Sequence, residues 1–290
     1  MDLHPSGNSA FWNRPPDEEV RRVLNALLPW EFLTSPYFSG LENVEQGGSY
    51  LFAGNHTIAG VLDAPLMMRK LFMDKEIFLR SLGDHMHFKI PVWREFLSRY
   101  GVVDGNRDNC ARLMKSRQSI LLFPGGSREV AKRRGEKYQL IWKQRLGFAK
   151  MAIEHGFPII PFSAVGAEEA YDIVLDGNDM MKSPLGPYIE KAGIRKDMLM
   201  PLIKGLGPTP IPRPVRMYFH FSPPIETARF EGRAEDEEAL WIVRKEVEEA
   251  VAAGIEKLLQ HREEDPEQEL MPRLLRGFQR KFFNKGLEDD

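Results

Sequence analysis

The stretch Gly54-Asn-His-Thr-Ile-Ala-Gly-Val-Leu-Asp-Ala-Pro65, between a strand-like and a helix-like run, holds a histidine, two glycines and, seven residues after the histidine, an aspartate. Histidine titrates closer to neutrality than any other side chain, so His56 beside a carboxylate is a candidate general base. Asp63 would then fix its tautomer. The same residues also read as a helix start, with Asp63 as N-cap, Pro65 in the first turn and His56 an ordinary polar residue. A second stretch, Phe123-Pro-Gly-Gly-Ser-Arg-Glu129, ends the most apolar strand candidate. Gly125 and Gly126 free the backbone there, so that N–H groups as far as Ser127 could turn toward an oxyanion or phosphate. Arg128 offers a planar fork for phosphate or carboxylate, and Glu129 could hold that arginine. A simple glycine turn is the alternative, and the spacing fits neither the phosphate loop nor the dinucleotide fingerprint. A third stretch, Tyr100 to Arg107, joins a strand end, a glycine turn and one arginine.

These residues need elements to position them. Strand candidates at 49–53, 77–82, 101–103, 119–123 and 157–162 alternate with helix candidates at 64–73, 92–100, 109–116 and 140–155. Such alternation predicts an α/β fold: a mixed, largely parallel sheet with helices on both faces. Pro158 and Pro161 each remove a backbone donor, which places their strand at an edge or makes it short. Asp17-Glu-Glu19 opens an N-terminal amphipathic helix with Val20, Val23, Leu24, Leu27 and Leu28 on one face. After residue 166 prolines and glycines predict loops and short helices, then one strand at 215–221 and a long helix at 235–260. The expected divisions are 1–40 (arm and amphipathic helix), 41–230 (the catalytic candidate) and 231–290 (C-terminal helices). In the last, Met271, Leu274, Leu275, Phe278 and Phe282 share a face while Arg273, Arg276, Arg280, Lys281 and Lys285 supply charge. That pattern suits a membrane interface or an ordinary docked terminal helix.

Composition narrows the classes. Forty basic and 42 acidic residues leave a formal charge of -2, so no global field points to nucleic acid. The single cysteine, Cys110, excludes an intrachain disulfide and any multi-cysteine metal site, and suits a reducing compartment. No apolar run approaches the ~18 residues that span a bilayer, and the N-terminus has no signal-peptide pattern. A cytoplasmic chain, peripheral on a membrane surface, is expected. His85, His87, His155 and His220 fit core, surface or helix-end roles.

Taken in order, the blocks resemble those of the glycerolipid (lysophospholipid) acyltransferase superfamily. They are Asn55-His56 with Asp63, Gly101 to Arg107, Phe123 to Arg128, and Phe157 to Pro161. The resemblance covers roughly residues 40 to 225. Two departures stand out: six residues separate His56 and Asp63 where the family has four, and Gly125 stands where the family's third block has glutamate. Phe123-Pro-Gly-Gly with Arg128-Glu129, and the run from Glu136 to Phe148, look more like the branch that includes diacylglycerol acyltransferases and their relatives.

The resemblance implies acyl transfer from a thioester, coenzyme A or acyl carrier protein, to the hydroxyl of a glycerolipid or other lipid alcohol. His56 would be the base and Asp63 its partner. Gly125, Gly126 and Ser127 would receive the oxyanion, and Arg128 with Glu129, and Arg107, would serve substrate binding. No cofactor beyond the acyl donor and no metal is implied. A thioesterase or lipid hydrolase using the same dyad, or a non-catalytic lipid-binding protein, are the alternatives.

Overall fold

Alternate side chains of the central strands bury into two different apolar layers, and this period of two sets the architecture. The structure, a computed structural model, describes residues 14–58 and 60–283. In chain order the elements are α1 (Asp17–Asn25), α2 (Leu28–Thr34), β1 (Tyr37–Ser39), β2 (Leu51–Gly54), α3 (Ala64–Lys75), β3 (Arg80–Gly83), α4 (Pro91–Arg99), β4 (Val103–Asp104) and α5 (Arg107–Lys115). There follow β5 (Ile120–Leu122), α6 (Gly126–Val130), α7 (Gly147–Glu154), β6 (Ile159–Val165), β7 (Asp172–Leu175), α8 (Gly177–Lys182), α9 (Gly186–Lys191), β8 (Leu202–Lys204), β9 (Tyr218–Phe221), α10 (Glu237–Glu264) and α11 (Leu270–Phe283).

Seven strands form one sheet in the order β1-β9-β6-β2-β5-β3-β4, and β7 and β8 pair separately. Within the large sheet only the β6–β9 pairing is antiparallel. Leu51, Ala53, Ile120, Leu122 and Ile159 face a core shared with α5, α7 and α10. Phe52, Leu121, Ile160, Phe162 and Ala164 face the other way, against Leu66, Met67 and Leu71 of α3. The fold is therefore the expected mixed, mostly parallel α/β sheet with helices on both faces. Helix α10 lies very close to β6 at one point: a Cβ on Gly254 would sit 2.3 Å from Ser163 Oγ. Ser163 Oγ in turn donates to the Val251 carbonyl at 2.8 Å.

Three expectations change. The proline-bearing strand β6 is neither short nor at an edge; it runs seven residues, all buried, between β2 and β9. Pro161 is tolerated because it lies just past the last β9 ladder pair, Phe162–Phe221: its carbonyl still accepts the Ser222 N–H at 2.9 Å, and only the return bond from the missing donor is lost. The helix expected from residue 140 begins at Gly147, because residues 131–146 are held by side-chain carboxylates instead. Arg273, expected on a solvated basic face of α11, is buried and donates to the carbonyls of Gln268 and Pro214. Met271 and Leu275 of the same helix face outward. The side chains of Phe278, Arg280, Lys281 and Phe282, that of His87, and all of Lys285 and of the arm's residues 1–13 lie outside the described residues. Among the described residues no helix is long and apolar enough to cross a membrane.

Candidate functional site

Strands β2, β5 and β6 run parallel side by side, so their carboxyl ends open on one edge of the sheet. Ligand sites in such sheets gather there. His56 follows β2, Phe123 to Ser127 follow β5, and Glu168 follows β6.

The histidine loop is tied down at both ends. Asn55, fully buried, donates from Nδ2 to the Ala164 carbonyl at 2.9 Å, and its Oδ1 accepts the Ala164 N–H at 2.8 Å. Both faces of the amide are thus spent on the β6 backbone. At the far end the Trp30 indole N–H donates to the Leu62 carbonyl at 3.2 Å. Asp63 caps α3, its carboxylate accepting the Ala64 N–H at 2.8 Å.

The imidazole itself is held by shape. Phe123 stacks on it with centroids 3.9 Å apart and planes 12° from parallel. Gly60 leaves room at the ring's Cε1 edge: its φ is +63°, and a Cβ there would lie 2.4 Å from His56 Cε1. Nδ1 is sealed from solvent without a hydrogen-bond partner, although part of the residue stays exposed. Burial, and then the charge of Lys132, push the imidazole pKa down from 6.5 to about 3. His56 is therefore neutral at pH 7 and free to accept a proton. No hydrogen bond joins it to Asp63, whose carboxyl is buried and shifted upward by that burial, against the pull of the Ala64 N–H. The N-cap reading of Asp63 is what this geometry contains.

Glu129 is the residue that binds the two glycine-marked stretches together. It is fully buried; Oε2 accepts the backbone N–H of His56 at 3.0 Å and Oε1 that of Ile141 at 3.1 Å. Burial raises its pKa to about 7, with Lys132 and the two N–H groups pulling downward and Glu168 upward. The carboxylate passes so close to Gly125 that a Cβ there would lie 2.1 Å from Oε2. The family's glutamate at this position is incompatible with Glu129 as it stands here.

Glu129 does not hold Arg128. That arginine is buried and forked onto Glu136, Nη1 to Oε2 at 3.0 Å and Nη2 to Oε1 at 2.5 Å, with a further bond to the Ala131 carbonyl. Lys132 is also buried, 3.1 Å from Glu168 Oε1 and 3.1 Å from the Gln139 carbonyl. Glu168 accepts the Tyr138 N–H, and the Tyr138 hydroxyl meets Glu169 and the Gly166 N–H. Of the third block's donors, the Gly126 N–H is committed to the Phe123 carbonyl at 2.9 Å. Arg145 Nη1 reaches the Pro124 carbonyl at 2.8 Å and lies over Gly126. Ser127 is half-buried beside this turn, and Arg107 is exposed at the start of α5, near Glu235. Cys110 is a buried thiol with its pKa pushed up to about 12, so it is inert as a nucleophile.

Sequence reasoning did not single out Gly60, Lys132, Tyr138, Arg145 or Glu168. The run from Glu136 to Phe148 carried the only signal, through its family resemblance; nothing in its periodicity shows that carboxylates replace helix bonds there.

A cleft of about 260 Å³ lined by Val20, Val23 and Leu24 of α1, Pro65, Met68 and Phe72 of α3, and Tyr100 begins near the N-terminus of α3. Its walls are almost wholly apolar, and Pro65, two residues after Asp63, is part of its lining.

Residues 35–165 match the family model described as Acyltransferase, and the chain belongs to the glycerolipid acyltransferase superfamily. It is 32% identical over 260 residues to phytyl ester synthase 2, chloroplastic, of Arabidopsis thaliana, covering 81% of this chain and 36% of that protein. Against the DGAT1/2-independent enzyme synthesizing storage lipids of Mus musculus it is 32% identical over 132 residues, 46% of this chain and 39% of the other. The chain thus spans less than two fifths of the length of these relatives. The crystal structure of the 1-acyl-sn-glycerophosphate (LPA) acyltransferase PlsC from Thermotoga maritima overlays with a TM-score of 0.46 at 16% identity, covering 86% of this chain and 85% of that one.

Proposed function

We propose that the chain is an O-acyltransferase that moves a fatty acyl group from a thioester, carried by coenzyme A or acyl carrier protein, to a neutral lipid alcohol. The observation that carries this reading is the seating of His56: a neutral imidazole stacked on Phe123 with Gly60 close against its Cε1 edge, and with Nδ1 sealed and waiting for a partner. In the step, His56 takes the alcohol proton as the oxygen attacks the thioester carbonyl. The tetrahedral intermediate then expels the thiolate, which leaves with that proton. N–H groups at Gly125 and Ser127, with the Arg145 guanidinium, would receive the oxyanion.

An imidazole held near pKa 3 is a weak base. Rotation of Asp63 from its cap onto Nδ1 would raise that basicity. Catalytic hydrogen bonds that are loose without substrate commonly tighten in its presence. The apolar cleft beside α3 would take a hydrocarbon chain of donor or acceptor.

The neutral acceptor follows from Arg128. Its fork is filled by Glu136 and buried, so the guanidinium best placed for a phosphate is already neutralised. The relatives whose printed names speak of phytyl esters and storage lipids point the same way. Such acceptors live in membranes, which makes a peripheral membrane location the matching expectation. Acyl-CoA and acyl carrier protein donors, offered with phytol, diacylglycerol and lysophosphatidate, test the reading. Ester product with the neutral alcohols and little with lysophosphatidate is expected. Free fatty acid without ester would turn the reading to hydrolysis, and preference for lysophosphatidate would overturn the neutral acceptor.

A further inference from the structure

Between β6 and β9 the chain leaves the main sheet for about fifty residues, and the middle of this excursion is unusual in what it exposes. Nine of the eighteen large hydrophobic side chains exposed among the described residues lie in 172–211. Tyr188 is 72% exposed, Leu185 62% and Ile211 57%; Ile194, Leu202 and Leu206 are each near half. The β7–β8 ladder has apolar groups on both sides. Ile173 pairs with Ile203, and these pack inward on Ile58 of the histidine loop and on Tyr171. Leu175 pairs with Leu202, and both are exposed. A two-stranded ladder with apolar side chains left in water has a missing cover.

Charge says what that cover is. Of the lobe's five acids, four are committed: Asp172 to Arg213, Asp179 to Arg134, Asp176 to the α8 cap, and Glu190 to Lys196; the side chain of Asp197 lies outside the described residues. Lys182 and Lys191 are exposed and meet no acid among the described residues. Exposed aliphatic side chains, a tyrosine and uncompensated lysines on short helices are what an anionic lipid interface binds. The lobe is also rooted at the site. Tyr171, Asp172 and Ile173 share a cavity of about 170 Å³ with Ile58 and Lys132.

We propose that the 172–211 lobe is the chain's lipid-docking surface and seats in the headgroup region of an anionic membrane beside the histidine loop. It deepens the lipid-alcohol reading, on which it rests for its biological sense, and it moves the principal membrane contact away from α11. Helix α11 turns Arg273 inward and leaves only Met271 and Leu275 exposed among its described apolar side chains.

The full chain is floated with phosphatidylcholine vesicles, with and without phosphatidylglycerol, in the absence of any acyl donor. Leu185→Ser with Tyr188→Ser should weaken partitioning by about a hundredfold. Lys182→Glu with Lys191→Glu should weaken it about tenfold on the anionic vesicles alone. Met271→Ser with Leu275→Ser should change it by less than about threefold, two exposed contacts being a minor share of the area. Tyr188→Trp, which keeps an aromatic group, should shift its emission to the blue when vesicles are added; this readout does not depend on the serine variant folding. Unchanged partitioning of the serine variant, or Tyr188→Trp emission that ignores vesicles, overturns the proposal. So does lipid-free self-association that the serine variant abolishes while vesicle binding persists, since the cover would then be a second copy. Because no donor is present, a chain that binds vesicles but transfers no acyl group refutes the catalytic reading and leaves this one standing.

Discussion

Glu129 Oε2 accepts the backbone N–H of His56 at 3.0 Å, and the same carboxylate's other oxygen accepts the N–H of Ile141. One buried side chain from the turn after β5 therefore fixes the backbone of the candidate base after β2. It also fixes the irregular segment that walls the site.

Loss of that carboxylate leaves two buried N–H groups without an acceptor, at about 1–3 kcal/mol each. Glu129→Ala is expected to lower Tm and to cut kcat by at least about a hundredfold. Gly125→Ala should behave similarly, since its Cβ would occupy the carboxylate's place. A double change, Gly125→Glu with Glu129→Gly, moves the carboxylate to the position the family uses and should recover part of the activity lost in Glu129→Gly. Turnover measured beside thermal melts checks all four variants; a double variant no better than Glu129→Gly would refute the equivalence.

Gly60 tests the seating of the ring rather than that of the backbone. A methyl at φ +63° costs about 1 kcal/mol of conformational energy, yet it lies 2.4 Å from His56 Cε1. Gly60→Ala should therefore lose far more kcat than stability, and a melt that collapses along with activity would assign Gly60 to folding alone.

The two buried titrating groups oppose one another in pH. His56 has a folded pKa near 3 against 6.5, so the unfolded chain binds the extra proton and this contribution to stability is lost as pH falls below about 6.5. Glu129, raised to about 7 from 4.5, binds its proton more tightly when folded, so its contribution is present at low pH and lost as pH rises through 7. Lys132 and Glu168 face Glu129 and remain in both variants. Relative to wild type, His56→Gln should therefore gain Tm on acidification from pH 8 to 5, and Glu129→Gln should lose it. Melts across that range decide, and parallel curves for all three proteins would contradict both assignments.

Arg128 makes a structural prediction. With its fork filled by Glu136, Arg128→Lys loses bidentate geometry and should destabilise the chain by about 1–3 kcal/mol. Its KM for a neutral acceptor should stay within about threefold of wild type, the lost contact being remote from substrate. A large rise in KM with unchanged Tm would make it a substrate contact.

Much of the fold follows from patterns in the chain, and the exceptions have physical causes. Leu51-Phe-Ala53 and Ile120-Leu-Leu122 are continuous apolar runs because both faces of their strands are covered. Pro161 pointed to an edge because a proline rule speaks of donors and cannot see that the last turn of pairing to the neighbouring strand runs through the proline carbonyl alone. The positions of His56 and of the Gly-Gly turn, just past buried strands, follow from the strand-end logic. The partners do not: whether Glu129 or Glu136 meets Arg128 depends on how residues 131–146 fold back, and no period encodes that. Asp63 illustrates the same limit, since one N-cap motif and one catalytic dyad are written with the same residues.

The most direct measurement of acyl transfer through His56 is free-thiol release from an acyl thioester in the presence of a lipid alcohol, wild type against His56→Gln. General base catalysis contributes about 10²–10⁴-fold, so the variant should release thiol at least about a hundredfold more slowly while keeping a wild-type melt at pH 8 and wild-type vesicle binding. Equal rates for the two proteins, or no thiol release by wild type with any lipid alcohol, would contradict the account.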